Sequence, residues 1–362
     1  MALPRSTYVK DGKEGVYHCF TRCVRRAFLC GFDLVTQRDY SHRKTWIVDR
    51  LRYLAGIFAI EVCAYAVMEN HYHTVLRTRP DIVATWSDRE VAIRWLTLFP
   101  CYCRKKDVVE PPDEKQISAL TNDSERIAEL RKRFSSLSWF MGRLNEFVAR
   151  AANKEDNVKG RHWESRFKCV ALLDVAAMAA CMVYVDLNPI RAGLAARPEE
   201  SDFTSIQDRI RAWHRGITSQ IAVSGEDMPK LNEMAHVSRA APGCIPVESP
   251  AHSPNWLCPI ESLFERRGIL QITEAEYFDL VDRSGRILRT GNRGAIDADL
   301  APIFLRIGAK PDAWLDIVSR FESKFSLAAG RLSSLRSFAD QIGRRWLSGV
   351  SAARAVFVES LP

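Results

Sequence analysis

Hydrophobic and polar positions alternate over residues 16–24 (VYHCFTRCV), in a run rich in β-formers, which predicts a strand. The period then changes. Over residues 41–55, Trp46, Ile47, Leu51 and Leu54 fall on one side of a helix, with Ser41 placed to cap it. Residues 59–68 (AIEVCAYAVM) predict a second strand, Glu69 and Asn70 a turn or bulge, and residues 71–77 (HYHTVLR) a third strand, which Pro80 ends.

Residues 81–106 are helical in pattern and carry several aromatic side chains, and residues 110–116 (EPPDEKQ) form a charged, proline-containing break. A long helical pattern over 123–152 places Phe134, Leu137, Phe140, Leu144 and Val148 together, and the polar run 153–161 breaks it. Residues 167–173 (FKCVALL) predict a fourth strand. Asp174 then caps a helix that runs to about Asn188, where Pro189 ends it. Strand, helix, strand, strand, helices, strand, helix is the order of an α+β fold, an antiparallel sheet with helices on one face. Serine, proline and glycine thicken over 217–259, which reads as a linker or irregular segment, and 260–362 is mainly helical in pattern. The expected organisation is therefore a first domain over 1–216 with a helical insertion at about 81–152, a linker over 217–259, and a helical accessory domain over 260–362.

Length and composition agree with this division. A chain of 362 residues is long for one core, and 47% hydrophobic with 27% charged residues is a soluble, globular balance. The net charge of +8, from 52 Lys and Arg against 44 Asp and Glu, suits a polyanionic partner such as nucleic acid. None of the 10 cysteines sits in a CxxC pair, and Cys101 and Cys103 are too close to make a zinc knuckle alone, so reduced thiols are expected. The first residues carry no apolar signal core. The most apolar stretch, 169–185, is short and contains Asp174, so it reads as a buried helix rather than a membrane span. A cytoplasmic protein with no membrane partner is expected.

Two features carry chemistry. His71 and His73 flank Tyr72 on a predicted strand, so both imidazoles project from the same face and can reach one metal ion. The competing reading is two polar side chains on a solvated sheet face, but the flanking strands are strongly apolar and two of only 8 histidines meet here. Tyr184 and Asn188 are four apart and share a helix face, and an amide oxygen at the helix end is a hard ligand suited to Mg²⁺ or Mn²⁺. Their competing reading is a packed aromatic and a helix cap.

Three blocks, AYAVMENHYHTVLRT (64–78), WESRFKCVALLD (163–174) and YVDLNPIRAGL (184–194), resemble in order the signature blocks of REP-associated tyrosine transposases, which are single-tyrosine HUH transposases. The strand VYHCFTRCVRR (16–26) is similar to the family's first strand. The resemblance covers about residues 16–194 with a gap in the middle. It implies a ferredoxin-like, RRM-like sheet with the histidine pair on a central strand. It implies a divalent metal, Mg²⁺ or Mn²⁺, on His71, His73 and a polar side chain four residues after the nucleophile, here Asn188. It also implies cleavage of single-stranded, often hairpin-marked, DNA through a 5′-phosphotyrosine at Tyr184, leaving a free 3′-OH. Three departures stand out: Glu69 where relatives often carry Pro, a longer segment between His73 and Tyr184, and nothing in the family core that corresponds to 217–362.

A free tyrosine is a poor nucleophile at neutral pH, so this chemistry needs a cation to polarise the phosphate and a base, for which His18 and Glu69 are the candidates. Arg22, Arg25, Arg26, Arg161, Arg166, Lys168 and Arg191 flank the motif blocks and are expected to neutralise DNA phosphates. Trp163 and Phe167 either stack on unpaired bases or pack in the core. Arg283, Arg286, Arg289 and Arg293 lie close together in the C-terminal region and suit hairpin recognition. Rival readings are a catalytically inactive, transposase-derived DNA-binding protein and a phosphodiesterase using the histidines directly; the latter needs a second histidine motif, and His162 stands isolated. Either a monomer or a homodimer fits.

Overall fold

The computed structural model describes residues 3–24, 30–33, 37–100, 102–103, 108–109, 111–224, 256–263, 266–289 and 301–359. Its strands are β1 (Gly15–Arg22), β2 (Phe32–Asp33), β3 (Arg38–Asp39), β4 (Ile60–Val67), β5 (His71–Thr78), β6 (Tyr102–Cys103), β7 (Val108–Val109), β8 (Lys168–Leu172) and β9 (Ala328–Ala329). The helices of the first half are α1 (Arg43–Ile57), α2 (Pro80–Thr85), α3 (Asp88–Leu98), α4 (Glu114–Thr121), α5 (Ser124–Phe134), α6 (Leu137–Glu155), α7 (Val175–Asp186) and α8 (Asn188–Arg191). There follow α9 (Ser205–Ser224), α10 (Glu274–Arg289), α11 (Ala301–Ile307), α12 (Pro311–Lys324), α13 (Leu332–Gln341) and α14 (Val350–Val356).

The four strands expected from alternation form one sheet in the order β4-β5-β1-β8, all antiparallel, and β9 from the C-terminal region adds a fifth strand parallel to β8. The α+β class with a mainly helical C-terminal region is what the sequence pattern predicts. Register decides which side chains share a face. Phe20 lies opposite His73, His18 opposite both Val75 and Val170, and Arg22 opposite His71. These therefore project to one side, and Tyr72, Thr74 and Leu76 to the other.

The second side carries α6. The Tyr72 hydroxyl donates to Asn145 Oδ1 at 2.7 Å, and Thr74 lies against Met141. Helix α1 packs on α6 and β4. Helices are not confined to that face, however. Helix α7 lies over the histidine side, and α12 packs on α7. The reason lies in the sequence of α7: every residue from Ala179 to Asp186 is buried. A helix apolar all round needs cover on all sides. One continuous core consequently runs from Val9 to Phe357. Helix α9 runs unbroken through position 216, where the first domain was expected to end. Asp186 accepts from the Ser205 hydroxyl, the Ile206 N–H and the Tyr277 hydroxyl, which pins α9 and α10 to α7.

Several boundaries differ from expectation. Ser41 caps nothing: α1 begins at Arg43, and its N-cap position, His42, makes no side-chain cap bond. The pattern over 81–106 is broken at Trp86–Ser87, where Ser87 accepts from the Glu90 N–H and starts α3 anew. The EPPDEKQ break becomes a helix start, with Asp113 and Gln116 forming a reciprocal capping box. The long pattern over 123–152 is two helices, because the Phe134 carbonyl at the break accepts from Ala59 N–H at the mouth of β4. Pro189 does not stop the chain's helical course; it sits in the first turn of α8, where its missing N–H removes no helical bond.

Candidate functional site

His73 is central on β5 and 1% exposed; His18, on the neighbouring strand, is fully buried. Their rings stack at 5.2 Å, and His18 Nε2 and His73 Nδ1 share a hydrogen bond of 3.0 Å. His71 sits two residues earlier on the same face, its ring 4.9 Å from that of His73 and nearly perpendicular to it. Asn70 Oδ1 accepts from His71 Nδ1 at 2.5 Å, which leaves His71 Nε2 as the nitrogen with a free lone pair.

Above the pair stands Tyr184 of α7. Asp174 starts that helix by accepting from the Ala177 N–H, and two and a half turns later Tyr184 meets the sheet. Its ring contacts His73 edge-on at 5.7 Å and His18 at 5.9 Å. The Arg191 guanidinium lies 4.5 Å over the Tyr184 ring. The Tyr184 hydroxyl donates to Glu322 Oε2 of α12 at 3.2 Å, and Phe321 packs beside both Tyr184 and His18. Tyr184 is 4% exposed and Phe321 fully buried, so α12 closes this face.

Electrostatics follow from that closure. Burial lowers the His18 imidazolium to about 3. Burial, with the nearby charges of Arg22 and Arg191, lowers His71 to about 4, and burial together with the neighbouring histidines holds His73 well below 6.5. All three rings are therefore neutral at pH 7, the form in which imidazole binds metal. Burial first, then the Glu322 carboxylate, raise the Tyr184 phenol to about 12, against which the Arg191 charge works.

The expected phosphate contacts divide. Arg22 and Lys168 line a small cavity of about 90 Å³ together with His71 and Glu322. Arg166 is exposed on the turn that leads into β8. Arg161 instead lines a separate cavity with Arg43, Asp156 and His162. Arg25 and Arg26 lie outside the described residues. Trp163 does not present its ring for base stacking: it is buried, its Nε1 donates to the Asn145 carbonyl at 2.9 Å, and Tyr72 meets it edge-on. Phe167 is likewise buried, under the Arg5 guanidinium at 3.4 Å. Arg283 and Arg286 are engaged by Asp279 and Asp282 one turn earlier on α10, whereas the Arg289 side chain and Arg293 fall outside the described residues.

Of the two candidate bases, His18 lies against the Tyr184 ring and Glu69 does not. His18 supports His73 from beside it, and Glu69, exposed at the β4–β5 turn, is not among the residues around Tyr184. The carboxylate that does meet the phenol is Glu322, 138 residues further along the chain. No local motif marks it; only the apolar completeness of α7 signals that something must cover the tyrosine.

The donors at this face suit a small divalent cation in part. His71 and His73 each have one ring nitrogen held by a neighbour, the arrangement that orients metal-binding imidazoles. Asn188 is buried with its Nδ2 lacking any partner, and it opens α8 after the helical backbone loosens at Leu187. Among the described residues, no group of three or more His, Cys, Asp or Glu side chains is placed to hold a metal ion.

Among the described residues no helix is long and apolar enough to cross a membrane. No protein-family model and no curated protein matches the chain. One solved structure, a REP-associated tyrosine transposase bound to a REP hairpin, is similar at 16% sequence identity, over 60% of this chain and 87% of that one, with a TM-score of 0.32. A likeness of that size carries no argument about function, which rests instead on the residues described above.

Proposed function

We propose that this chain is a metal-dependent transposase that cuts and rejoins single-stranded or hairpin DNA, with Tyr184 as nucleophile. The observation that carries the reading is the placement of the Tyr184 ring directly on the His18–His73 pair, at 5.7 and 5.9 Å, with His71 beside them. His71, His73 and Asn188 are the residues to hold Mg²⁺ or Mn²⁺. Such a cation supplies polarisation of the scissile phosphate and stabilisation of the charge that builds up on it.

The chain's own groups do the rest. The Tyr184 oxygen forms a bond to phosphorus as the bond from phosphorus to the 3′-oxygen breaks, giving a 5′-phosphotyrosine and a free 3′-OH. The phenolic proton passes to its hydrogen-bond partner, the Glu322 carboxylate, and the departing 3′-oxygen takes a proton from water to become the 3′-OH. In rejoining, a 3′-OH attacks the phosphotyrosine, and the phenol regains its proton. Arg22, Lys168 and Arg191 surround this point and supply the positive charge that a DNA backbone needs. Because Phe321 closes the face, its ring has to move aside for a phosphate to reach the tyrosine while Glu322 stays on the phenol.

The test is incubation with single-stranded hairpin DNA and Mn²⁺, followed by a denaturing gel. A covalent complex that vanishes in Tyr184→Phe is expected; an adduct persisting in that variant refutes the assignment. A second reading, a DNA-binding protein descended from a transposase and no longer cutting, is favoured by the burial of Tyr184 under α12. It predicts specific DNA binding with no covalent complex in the same gel.

A further inference from the structure

A second surface lies at the free edge of the sheet, outside β4. Residues 256–260 run along this edge, with Leu257 bridged to Val62 and the Cys258 N–H donating to the Val62 carbonyl at 2.8 Å. Between this segment and α9 is a groove of about 620 Å³. It belongs to a different part of the fold from the tyrosine. Tyr65, which supports its floor, pairs in register with Thr74 and so faces away from the histidines.

Two indoles line the groove. Trp256 is held in place from below: its ring packs on Tyr65 at 5.4 Å, and its Nε1 donates to Asp208 Oδ2 at 3.3 Å. Trp213, on α9, meets Phe278 edge-on at 5.8 Å, yet stays 40% exposed. A tryptophan braced by another ring and still 40% exposed keeps indole surface that can stack on something flat.

The rest of the lining is strongly cationic. Arg209, Arg211, Arg215 and Arg266 are joined by Arg52 over the Trp256 ring, against the carboxylates of Asp208, Glu261 and Glu274. Arg209 is the anchor. It is 4% exposed, its Nη2 donates to the carbonyls of Cys63 and Cys258 at 2.8 Å each, and its Nε is buried with no partner. The Glu274 carboxylate, 3.6 Å from Nη1, is its only ion-pair partner among the described residues. A guanidinium so firmly held, with a donor still unused, supplies a fixed positive charge at the floor. Arg215 adds charge at the exposed rim, where Arg211 also lies, 3.5 Å from the Asp202 carboxylate.

Indoles alternating with arginines along an open groove match an unpaired nucleic-acid strand, whose bases need flat apolar partners and whose phosphates need cations. Neither an apolar peptide nor a hydrophobic small molecule needs this density of guanidinium. A duplex would offer phosphates but keep its bases stacked internally. We propose that this groove binds a short run of single-stranded DNA, with Trp213 stacking on a base, Trp256 lining the groove beside it under Arg52, and Arg211, Arg215 and Arg266 contacting phosphates. The inference is independent of any chemistry at Tyr184.

The test uses the full chain in the Tyr184→Phe background and a short oligothymidylate containing 5-iodouracil, photocrosslinked and mapped by mass spectrometry. Crosslinks at Trp213 or Trp256 are expected, removed by unlabelled oligothymidylate but neither by duplex of equal length nor by thymidine monophosphate. Trp213→Ala and Arg215→Glu, both at exposed positions, are each expected to weaken oligothymidylate binding by about tenfold or more. Crosslinks mapping only elsewhere, or affinity unchanged in both variants, overturn the proposal. Equal competition by the mononucleotide also overturns it, in favour of a nucleotide pocket. If the unsubstituted chain forms no covalent complex while these crosslinks persist, the cleavage reading fails alone.

Discussion

Tyr184 and Glu322 meet through one hydrogen bond of 3.2 Å that joins the helix following β8 to a helix of the C-terminal region. Burial is the larger cause of the rise of the Tyr184 phenol to about 12, and the Glu322 carboxylate is the second. Glu322→Gln removes the charge and keeps the shape. The phenolate of Tyr184 is therefore expected to form at lower pH in the variant, though still above the ordinary value of 10.0, because burial remains. An ultraviolet titration, with Tyr184→Phe subtracted to isolate this phenol, reads the shift. A titration that Glu322→Gln leaves in place would separate the two groups electrically.

The buried imidazoles make the fold acid-sensitive. His18 and His71 are depressed to about 3 and about 4 from 6.5, and His73 is depressed as well. Below pH 6.5 the unfolded chain binds protons that the folded chain refuses, so stability falls as pH drops from about 6.5 towards 3. His18 alone accounts for at most on the order of 5 kcal/mol across that window. Asp186 works in the opposite sense. Burial raises its carboxyl to about 6, so its contribution is present below 3.8 and lost as pH rises from there through 6. Three histidines outweigh one carboxylate. The melting temperature is expected to decline between pH 6.5 and 4, and less steeply in His18→Gln. An equal slope in that variant would remove His18 from the account.

Trp163 tests a choice that the sequence leaves open, between base stacking and core packing. Its indole donates to the Asn145 carbonyl and packs on Tyr72, joining α6 to the sheet rather than waiting for a base. Trp163→Ala is expected to destabilise the fold by roughly 3–5 kcal/mol, while folded molecules keep their affinity for single-stranded DNA. Thermal melting and a binding titration at low temperature separate the two effects. A stable variant with lost DNA affinity would restore the stacking role.

The sheet was legible because its strands announce themselves by period: residues 16–24, 59–68, 71–77 and 167–173 alternate or run apolar, and each became a strand of the same sheet. The His71 and His73 pair was legible for the same reason, since period two puts them on one face, and Tyr184 was legible through its block. His18 was harder to read. Nothing local distinguishes a histidine on an apolar strand from a ligand or a buried support, and only the register of β1 against β5 reveals that it touches His73. Glu322 and Phe321 were illegible in principle. Their role comes from a contact between segments 138 residues apart, and an amphipathic helix reads the same whatever it covers. Trp163 stayed ambiguous because an aromatic beside arginines has the same signature in a core as in a nucleic-acid groove. Trp213 and Trp256 make that point from the other side, since they belong to no motif.

Asn70 gives the last and most exposed test of the metal reading. Its Oδ1 accepts from His71 Nδ1 at 2.5 Å, which places the ring proton on Nδ1 and turns Nε2 into the donor atom. At His73 the same task falls to His18, through the 3.0 Å bond to Nδ1. If these nitrogens hold a divalent cation, loosening either orienting partner weakens binding without removing a ligand. Asn70→Ala is therefore expected to lower Mn²⁺ affinity by about 10- to 100-fold, and His71→Ala by more. Asn188→Ala belongs in the same series, because its carboxamide is the third donor proposed. Manganese binding followed by electron paramagnetic resonance on the DNA-free protein reads all three without reference to catalysis. The order of effects carries the inference. Loss in His71→Ala with none in Asn70→Ala would mean that the ring is oriented by packing alone, and loss in neither would leave the histidines as supports for Tyr184 rather than ligands.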